Sequence, residues 1–221
     1  MKASTHDRHS LFLLLSLLFF FVLAPLREYG RIGEVVVLAF FGITFIAAAV
    51  ELSDQQALRR VSVPLVTCAI LAHFGAHFYP TMRPLLIVSH VLSTTFFGFV
   101  SVALFAYLGR PGVITSGRLY ASMSNYLILG MFWFSVYNVI ETIHAGSFVQ
   151  MAPHLTNVHG GTLLYFSLIT LTTVGYGDVL PATPTARAFA ALEGVSGVLY
   201  IAITVARLVA AYQRDSNDRV K

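Results

Sequence analysis

The sequence predicts an all-α membrane protein with six transmembrane helices and one shorter, re-entrant helix between the fifth and the sixth. Apolar residues make up 57% of the 221 residues and charged residues only 11%, whereas soluble domains carry about 25% charged residues. A chain with so little polar surface cannot face water on all sides. About 20 apolar helical residues cross a bilayer core, and six stretches of roughly that length are separated by polar turns.

The first predicted span resembles a secretory signal at its start, because Lys2 and Arg8 precede the apolar run. The run ends at Pro25 without a small-residue cleavage pattern, so we expect a retained helix. The spans lie near Leu11–Leu26, Gly33–Leu52, Val61–Phe78, Pro84–Leu108, Ser122–Ile143 and Ala186–Tyr212, and the re-entrant piece covers Gly161–Leu171.

Basic residues predict the orientation, because they are enriched in cytoplasmic loops. With both termini in the cytoplasm, ten basic residues lie inside and four outside, and the re-entrant piece enters from the outer face of the cell membrane. The inner set is Lys2, Arg8, Arg59, Arg60, Arg110, Arg118, Arg207, Arg214, Arg219 and Lys221, and the outer set is Arg27, Arg31, Arg83 and Arg187. Arg59 and Arg60 either contact anionic lipid headgroups or act only as an orientation signal.

The re-entrant piece leads directly into the motif Thr172–Asp178, which reads TTVGYGD. Non-helical backbone at membrane depth is tolerated where it is buried in protein or lines a watery path. Backbone carbonyls supply oxygen ligands without net charge, so a cation can exchange its water shell for them and still leave. Successive carbonyls that point the same way require alternating backbone conformations, and Gly175 and Gly177 adopt positive φ at little cost.

The segment from Tyr165 to Val209 resembles the pore domain of potassium channels, whose selectivity filter reads TVGYG. One chain supplies one strip of oxygen atoms, so the resemblance implies a homotetramer that closes a ring around potassium ions. It implies no enzyme activity, no cofactor other than potassium ions and no nucleic acid partner. The implied potassium ligands are the carbonyls of Thr173, Val174, Gly175 and Tyr176 and the Thr173 hydroxyl, with support from Thr172, Gly177, Asp178, Tyr165 and Phe166.

The chain departs from the family pattern around the filter. Potassium channels commonly carry two tryptophans in the pore helix, where this chain has Tyr165 and Phe166. Tyr165 keeps a hydroxyl that can donate to Asp178, whereas Phe166 has no donor. The glutamate that some bacterial members place behind the filter is Ile169 here. We therefore expect a looser cuff around Tyr176.

The last span contains two glycines and one buried acid. Gly194 and Gly197 are candidates for a gating hinge, and close helix packing is the alternative for both. Glu193 is an ionisable residue inside a span, which is a functional hypothesis by default. We expect a structural role, either bonded to the back of the pore helix or protonated and packed.

The domain organisation predicted is a sensor-like membrane domain over 1–120, a pore domain over 121–212 and a short cytoplasmic tail over 213–221. Each charge moved through the field contributes about 2.3 kcal/mol per 100 mV, and Pro84–Leu108 contains no lysine or arginine. We therefore expect no arginine-based voltage sensor. We expect this tail to be too short to form a cytoplasmic ligand-binding domain.

Two groups of histidines allow further hypotheses. His73 and His77 lie one helical turn apart, which suits zinc or proton sensing, although hydrogen bonds between helices are the alternative. His144, His154 and His159 precede the pore helix and either sense external pH or are simply solvated.

The leading interpretation is a potassium-selective channel subunit. The alternatives are a weakly selective cation channel and a regulatory subunit that conducts poorly alone. A membrane enzyme would rest on isolated residues such as Ser89 and His90, without an acid partner.

Overall fold

The computed structural model describes residues 5–52, 56–110, 115–151 and 160–220, which form seven α-helices and one short two-stranded sheet. The predicted all-α membrane fold is confirmed, and the sheet is an addition to it. The helices are α1 (Thr5–Leu23, followed by a 3-10 turn at Ala24–Tyr29), α2 (Arg31–Glu51), α3 (Gln56–Phe78), α4 (Arg83–Leu108), α5 (Ser116–Ile143), α6 (Gly160–Leu171) and α7 (Pro184–Val220), and the strands are β1 (Phe148–Gln150) and β2 (Val179–Pro181).

Five helices in the described part of the chain are long and apolar enough to cross a membrane, which makes this a multi-pass membrane protein. Their spans are Asp7–Leu26, Gln56–Phe78, Arg83–Leu108, Ser116–Ile143 and Pro184–Arg207. The predicted second span, Gly33–Leu52, coincides with α2, whose apolar part among the described residues is the shorter Val35–Glu51. Helix α7 runs on to Val220 and thus continues into the segment predicted as a tail.

The chain forms two compact units, and the first comprises 1–60, 100–128 and 199–221. In this unit α1 packs against α2, and Leu13, Leu17 and Phe45 of these two helices are fully buried. The rings of Phe20 and Phe41 add a contact with centroids 5.4 Å apart. Apolar burial of this kind stabilises a fold by about 25 cal/mol per Å².

A long-range cap joins the start of α1 to the start of α5 within the first unit. The Asp7 Oδ1 atom accepts a hydrogen bond from the Gly117 backbone N–H at 2.9 Å. The first N–H groups of a helix have no partner inside it, and the helix dipole favours a negative charge there. Asp7 therefore stabilises a helix that begins more than 100 residues away.

The first unit also joins α4, α5 and α7 through Tyr200 and Arg207. The Tyr200 hydroxyl donates to the Ser122 carbonyl at 2.7 Å. Arg207 Nη1 donates to the Phe105 carbonyl at 3.3 Å, and its guanidinium lies 4.4 Å from the Phe105 ring centroid. A cation near the last carbonyls of α4 is favoured by the helix dipole.

The second unit comprises 61–99 and 129–198 and contains most of the re-entrant region. Arg83, the first residue of α4, donates from Nε to the Thr142 carbonyl at 3.1 Å and from Nη2 to the Ile143 carbonyl at 3.3 Å. It thus caps the end of α5. Strands β1 and β2 pair antiparallel, with Phe148 opposite Pro181.

The Asp7 cap generates a stability prediction. Asp7→Ala should lower the free energy of unfolding by about 1 kcal/mol, because the Gly117 N–H loses its acceptor. Asp7→Asn, which keeps an acceptor oxygen, should lose less. Thermal unfolding in detergent micelles measures the difference, with the exposed neighbour Arg8→Ala as control. Equal stability of Asp7→Ala and Arg8→Ala would contradict the capping role.

Candidate functional site

Helix α6 carries the candidate site at its C-terminal end. Its 12 residues rise about 18 Å, which is too short to cross a bilayer core. One face of the helix is buried through Leu163, Leu164 and Phe166. The chain leaves the helix at Leu171 and enters the motif Thr172–Asp178 without a loop between them.

The backbone of the motif alternates between two conformations. Positive φ values occur at Thr173 (59°), Gly175 (52°) and Gly177 (77°), and Thr173 is the one non-glycine residue with a positive φ in the described part of the chain. A left-handed conformation at a non-glycine residue is costly and persists where the surroundings impose it. The alternation is the one that turns successive carbonyls to the same side.

Two hydrogen bonds fix the direction of the first carbonyls. The N–H groups of Val174 and Gly175 both donate to the Ile169 carbonyl, at 2.9 Å and 3.1 Å. In a planar trans peptide the carbonyl points opposite to the N–H. The carbonyls of Thr173 and Val174 therefore both point away from α6, side by side.

The motif lies on the surface of the isolated chain. Every residue of Thr172–Asp178 is exposed, and the apolar side chains of Val174 and Tyr176 are 53% and 73% exposed. The Thr172 hydroxyl donates back to the Leu168 carbonyl at 2.7 Å, which ties the start of the motif to α6. A single chain thus presents an open strip of carbonyl oxygens.

The outer end of the motif is held at Asp178. The Tyr165 hydroxyl donates to Asp178 Oδ2 at 2.8 Å, which is the bond that the sequence suggested. The Met151 N–H donates to the Asp178 carbonyl at 2.8 Å, next to the β1–β2 pair. Asp178 Oδ1 also accepts from the Val179 N–H at 3.1 Å.

Phe166 is buried inside its own chain, with 4% of its surface exposed. Its ring centroid lies 5.2 Å from that of Tyr137 and 5.3 Å from that of Phe148. Tyr137 and Phe148 are themselves 5.0 Å apart, so the three rings form one cluster behind α6. Phe166 therefore anchors α6 to α5 and β1, and a role in supporting the filter stays a prediction.

Glu193 lies at the back of α6 and is fully buried. Its Oε1 atom is 2.6 Å from the Ser167 hydroxyl, and its Oε2 atom accepts a hydrogen bond from the Tyr137 hydroxyl. Tyr137 and Ser167 were not among the site residues predicted from the sequence. The sequence contains a feature that could have indicated them. A carboxyl group inside a span needs polar hydrogen-bond partners, and both residues are polar positions in neighbouring apolar helices.

The two glycines of α7 differ in their surroundings. A Cβ atom at Gly197 would collide with the Leu171 carbonyl oxygen, whereas the nearest atom to a Cβ at Gly194 is the Thr170 carbonyl oxygen at 4.0 Å. Gly197 thus allows α7 to approach the end of α6 closely. A hinge role for either glycine stays a prediction.

His73 and His77 lie one turn apart on α3, and a zinc-binding or proton-sensing role for them stays a prediction. The His73 ring lies 5.7 Å from that of His90, and the Ser93 hydroxyl is 3.4 Å from His73 Nδ1. His77 lies beside Phe78 instead. In the ranges that the structure covers, no three His, Cys, Asp or Glu side chains are placed to hold a metal ion. His144 is exposed, and His154 and His159 lie outside the described residues.

Comparisons with known proteins cover the same region. Residues 122–214, which contain most of α5, all of α6, the motif and most of α7, match the family model described as "Ion channel". Two relatives are the potassium voltage-gated channel subfamily A member 10 of Mus musculus and that of Homo sapiens. Each is 28% identical to this chain over 100 residues, which cover 43% of this chain and 18% of the relative. The A-type voltage-gated potassium channel KCND3 of Rattus norvegicus is 38% identical over 50 residues, or 23% of this chain and 8% of the relative.

These matches confirm the resemblance to potassium channels. The matched segment spans less than a fifth of the length of these relatives. No solved structure matches the chain.

The glycines of α7 provide a paired test of packing. Gly197→Ala should destabilise the protein by about 1–3 kcal/mol, because its methyl group meets backbone that cannot move aside. Gly194→Ala should be neutral or stabilising, since alanine favours a helix by about 1 kcal/mol over glycine and the site has room. Thermal unfolding of both variants measures the contrast, and equal effects would contradict the close approach of α6 and α7.

Proposed function

We propose that this chain, whose residues 122–214 match the ion channel family model, is one subunit of a potassium-selective channel made of four identical copies. One observation carries the proposal. The N–H groups of Val174 and Gly175 share the Ile169 carbonyl, which turns two successive carbonyls away from α6. A potassium ion that leaves its water shell needs such uncharged oxygens.

The ion ligands in this proposal are the carbonyls of Thr173, Val174, Gly175 and Tyr176 and the Thr173 hydroxyl. The directions of their peptides support the carbonyls of Thr173 and Val174 as ligands. The positive φ values at Gly175 and Gly177 indicate that the same alternation of backbone conformation continues through the rest of the motif. The C-terminal end of α6 carries a partial negative charge, which favours a cation nearby.

Assembly into a closed ring is supported by the surface of the isolated chain. Helix α7 is much less buried within the single chain than α5. Side chains such as Leu192 and Val195 are more than half exposed on α7, as are Val174 and Tyr176 in the motif. Neighbouring copies related by a fourfold axis would cover part of this surface and bring four strips of carbonyls together.

The proposal places the channel in the plasma membrane with both termini in the cytoplasm, as the distribution of basic residues suggests. Residues 1–120 then form a membrane domain beside the pore domain 121–212, with 213–221 on the cytoplasmic side. Membrane lipids and potassium ions are the remaining partners.

Gating by an arginine sensor is not part of the proposal. Within α4, Arg83 is the single lysine or arginine, and it stands at the first position. Its guanidinium donates to the carbonyls of Thr142 and Ile143 at the end of α5. The apolar body of α4 therefore carries no lysine or arginine for the electric field to move.

The first test is the current through purified protein in a planar bilayer, with potassium on one side and sodium on the other. With equal concentrations on the two sides, we expect a reversal potential far from zero, at about 59 mV for each tenfold preference for potassium over sodium. Gly175→Ala should lose this current, because a side chain at φ 52° costs about 1–2 kcal/mol and the carbonyl direction depends on it. Gly146→Ala is the matched control, since Gly146 also has a positive φ, 83°, but lies in a turn outside the motif. The Gly146→Ala channel should conduct normally.

The same recording decides between the alternatives. Clear openings that reverse near zero would replace the proposal with a weakly selective cation channel. Silence from a well-folded tetramer would favour a regulatory subunit.

Voltage dependence is the second test. One moving charge would change the ratio of open to closed channels about fiftyfold per 100 mV. We expect a change below about twofold, because α4 has no internal lysine or arginine. A steep dependence that Arg83→Gln abolishes would identify Arg83 as a gating charge and contradict this account.

A further inference from the structure

Three fully buried polar side chains meet behind α6, one from each helix of the pore region. They are Tyr137 of α5, Ser167 of α6 and Glu193 of α7. The Ser167 Oγ atom lies 2.6 Å from Glu193 Oε1 and 2.8 Å from the Gly130 carbonyl oxygen. The Tyr137 hydroxyl donates to Glu193 Oε2. The cluster therefore links α5, α6 and α7 at one point.

The hydrogen-bond pattern of this cluster favours the protonated form of Glu193 over a carboxylate. Ser167 has one hydroxyl hydrogen but two oxygen neighbours at bonding distance, and the Gly130 carbonyl is an acceptor only. All contacts are satisfied when Glu193 carries a proton and donates it from Oε1 to Ser167. Ser167 then donates to Gly130, and Tyr137 donates to Oε2. This arrangement also avoids a buried charge, which costs several kcal/mol without a charged partner.

The cluster lies close in sequence and in space to the backbone that orients the filter. Ser167 precedes Ile169 by two residues on α6, and the Ile169 carbonyl receives the N–H groups of both Val174 and Gly175. A lateral shift of α6 at Ser167 would move that acceptor and rotate the Thr173 and Val174 carbonyls. A displacement of about 1 Å is enough to impair a geometrically selective site.

We propose that Glu193 is a positioning residue for the filter, which acts as a neutral carboxylic acid that holds α6 through Ser167. This inference rests on the proposed potassium-channel function and deepens it. It assigns the acid a role through hydrogen-bond geometry and gives it no contact with the ion. The inference therefore requires a donor and an acceptor at position 193 and requires no negative charge there.

The variants separate geometry from charge. Glu193→Met keeps an unbranched side chain of similar length but removes both hydrogen bonds. Glu193→Gln keeps an acceptor for Tyr137 and a donor for Ser167. Ser167→Ala cuts the link to α6 alone. Ser196→Ala is the matched control, because Ser196 accepts a hydrogen bond from Trp133 Nε1 at 3.0 Å and so joins α5 to α7 one turn away from Glu193.

The measurement is the reversal potential of each variant in the potassium–sodium bilayer, after gel filtration has shown an intact assembly. Glu193→Met and Ser167→Ala should lower the potassium-to-sodium permeability ratio at least tenfold, a shift of about 59 mV towards zero. Glu193→Gln and Ser196→Ala should stay within about twofold of the unmodified channel, about 18 mV on the same scale. If Glu193→Met does not assemble, Ser167→Ala and Tyr137→Phe test the positioning role in its place. Tyr137→Phe removes the hydroxyl but keeps the aromatic ring beside Phe166.

Each other outcome has a definite meaning. An unmodified channel without selectivity overturns the proposed function and this inference with it. The positioning role alone is overturned if the unmodified channel is selective and its variants are just as selective. These variants are Glu193→Met, Ser167→Ala and Tyr137→Phe. Loss of selectivity in Glu193→Gln as large as in Glu193→Met would show that the negative charge matters, and that overturns the neutral acid.

Discussion

The geometry of the motif depends on one carbonyl oxygen, that of Ile169, which accepts hydrogen bonds from the N–H groups of both Val174 and Gly175. These two bonds leave the opposite ends of the same peptides, the carbonyls of Thr173 and Val174, facing away from α6. The left-handed conformation of Thr173 is the backbone condition that makes this possible. A strip of carbonyls that face the same way therefore requires that the last turn of α6 be held in a fixed position, and the surrounding structure can be understood from that requirement.

Contacts of different chemistry hold α6 from several directions. Gly197 lets α7 approach the Leu171 carbonyl, and the rings of Tyr137, Phe148 and Phe166 pack behind the helix. The buried hydrogen bonds of Glu193 add direction to this packing. A single such bond contributes only about 0.5–1.5 kcal/mol net, but an unmade buried bond costs about 1–3 kcal/mol. The cluster thus disfavours displaced positions of α6 more than it stabilises the fold.

The sequence predicted the parts of this protein that follow from local pattern. The all-α membrane fold follows from apolar runs, and the resemblance to potassium channels follows from the short motif Thr172–Asp178; both are confirmed. The domain limits and the roles of the site residues stay predictions. The sheet of β1 and β2 could not be predicted, because strands of three residues carry too little periodic signal. The partners of Glu193 come from helices distant in sequence, and the cap of α5 by Asp7 depends on tertiary packing that no local pattern records.

The central claim is that four copies bring these carbonyls together around ions, and thallium is the most direct probe of it. Thallium ions replace potassium ions in oxygen sites and scatter X-rays anomalously, so crystals of the purified assembly grown with thallium reveal the ions themselves. The account predicts anomalous peaks in a row on a fourfold axis, surrounded by the carbonyl oxygens of Thr173, Val174, Gly175 and Tyr176. An assembly without a fourfold axis, or a fourfold assembly whose carbonyls line an axis with no thallium, would contradict it.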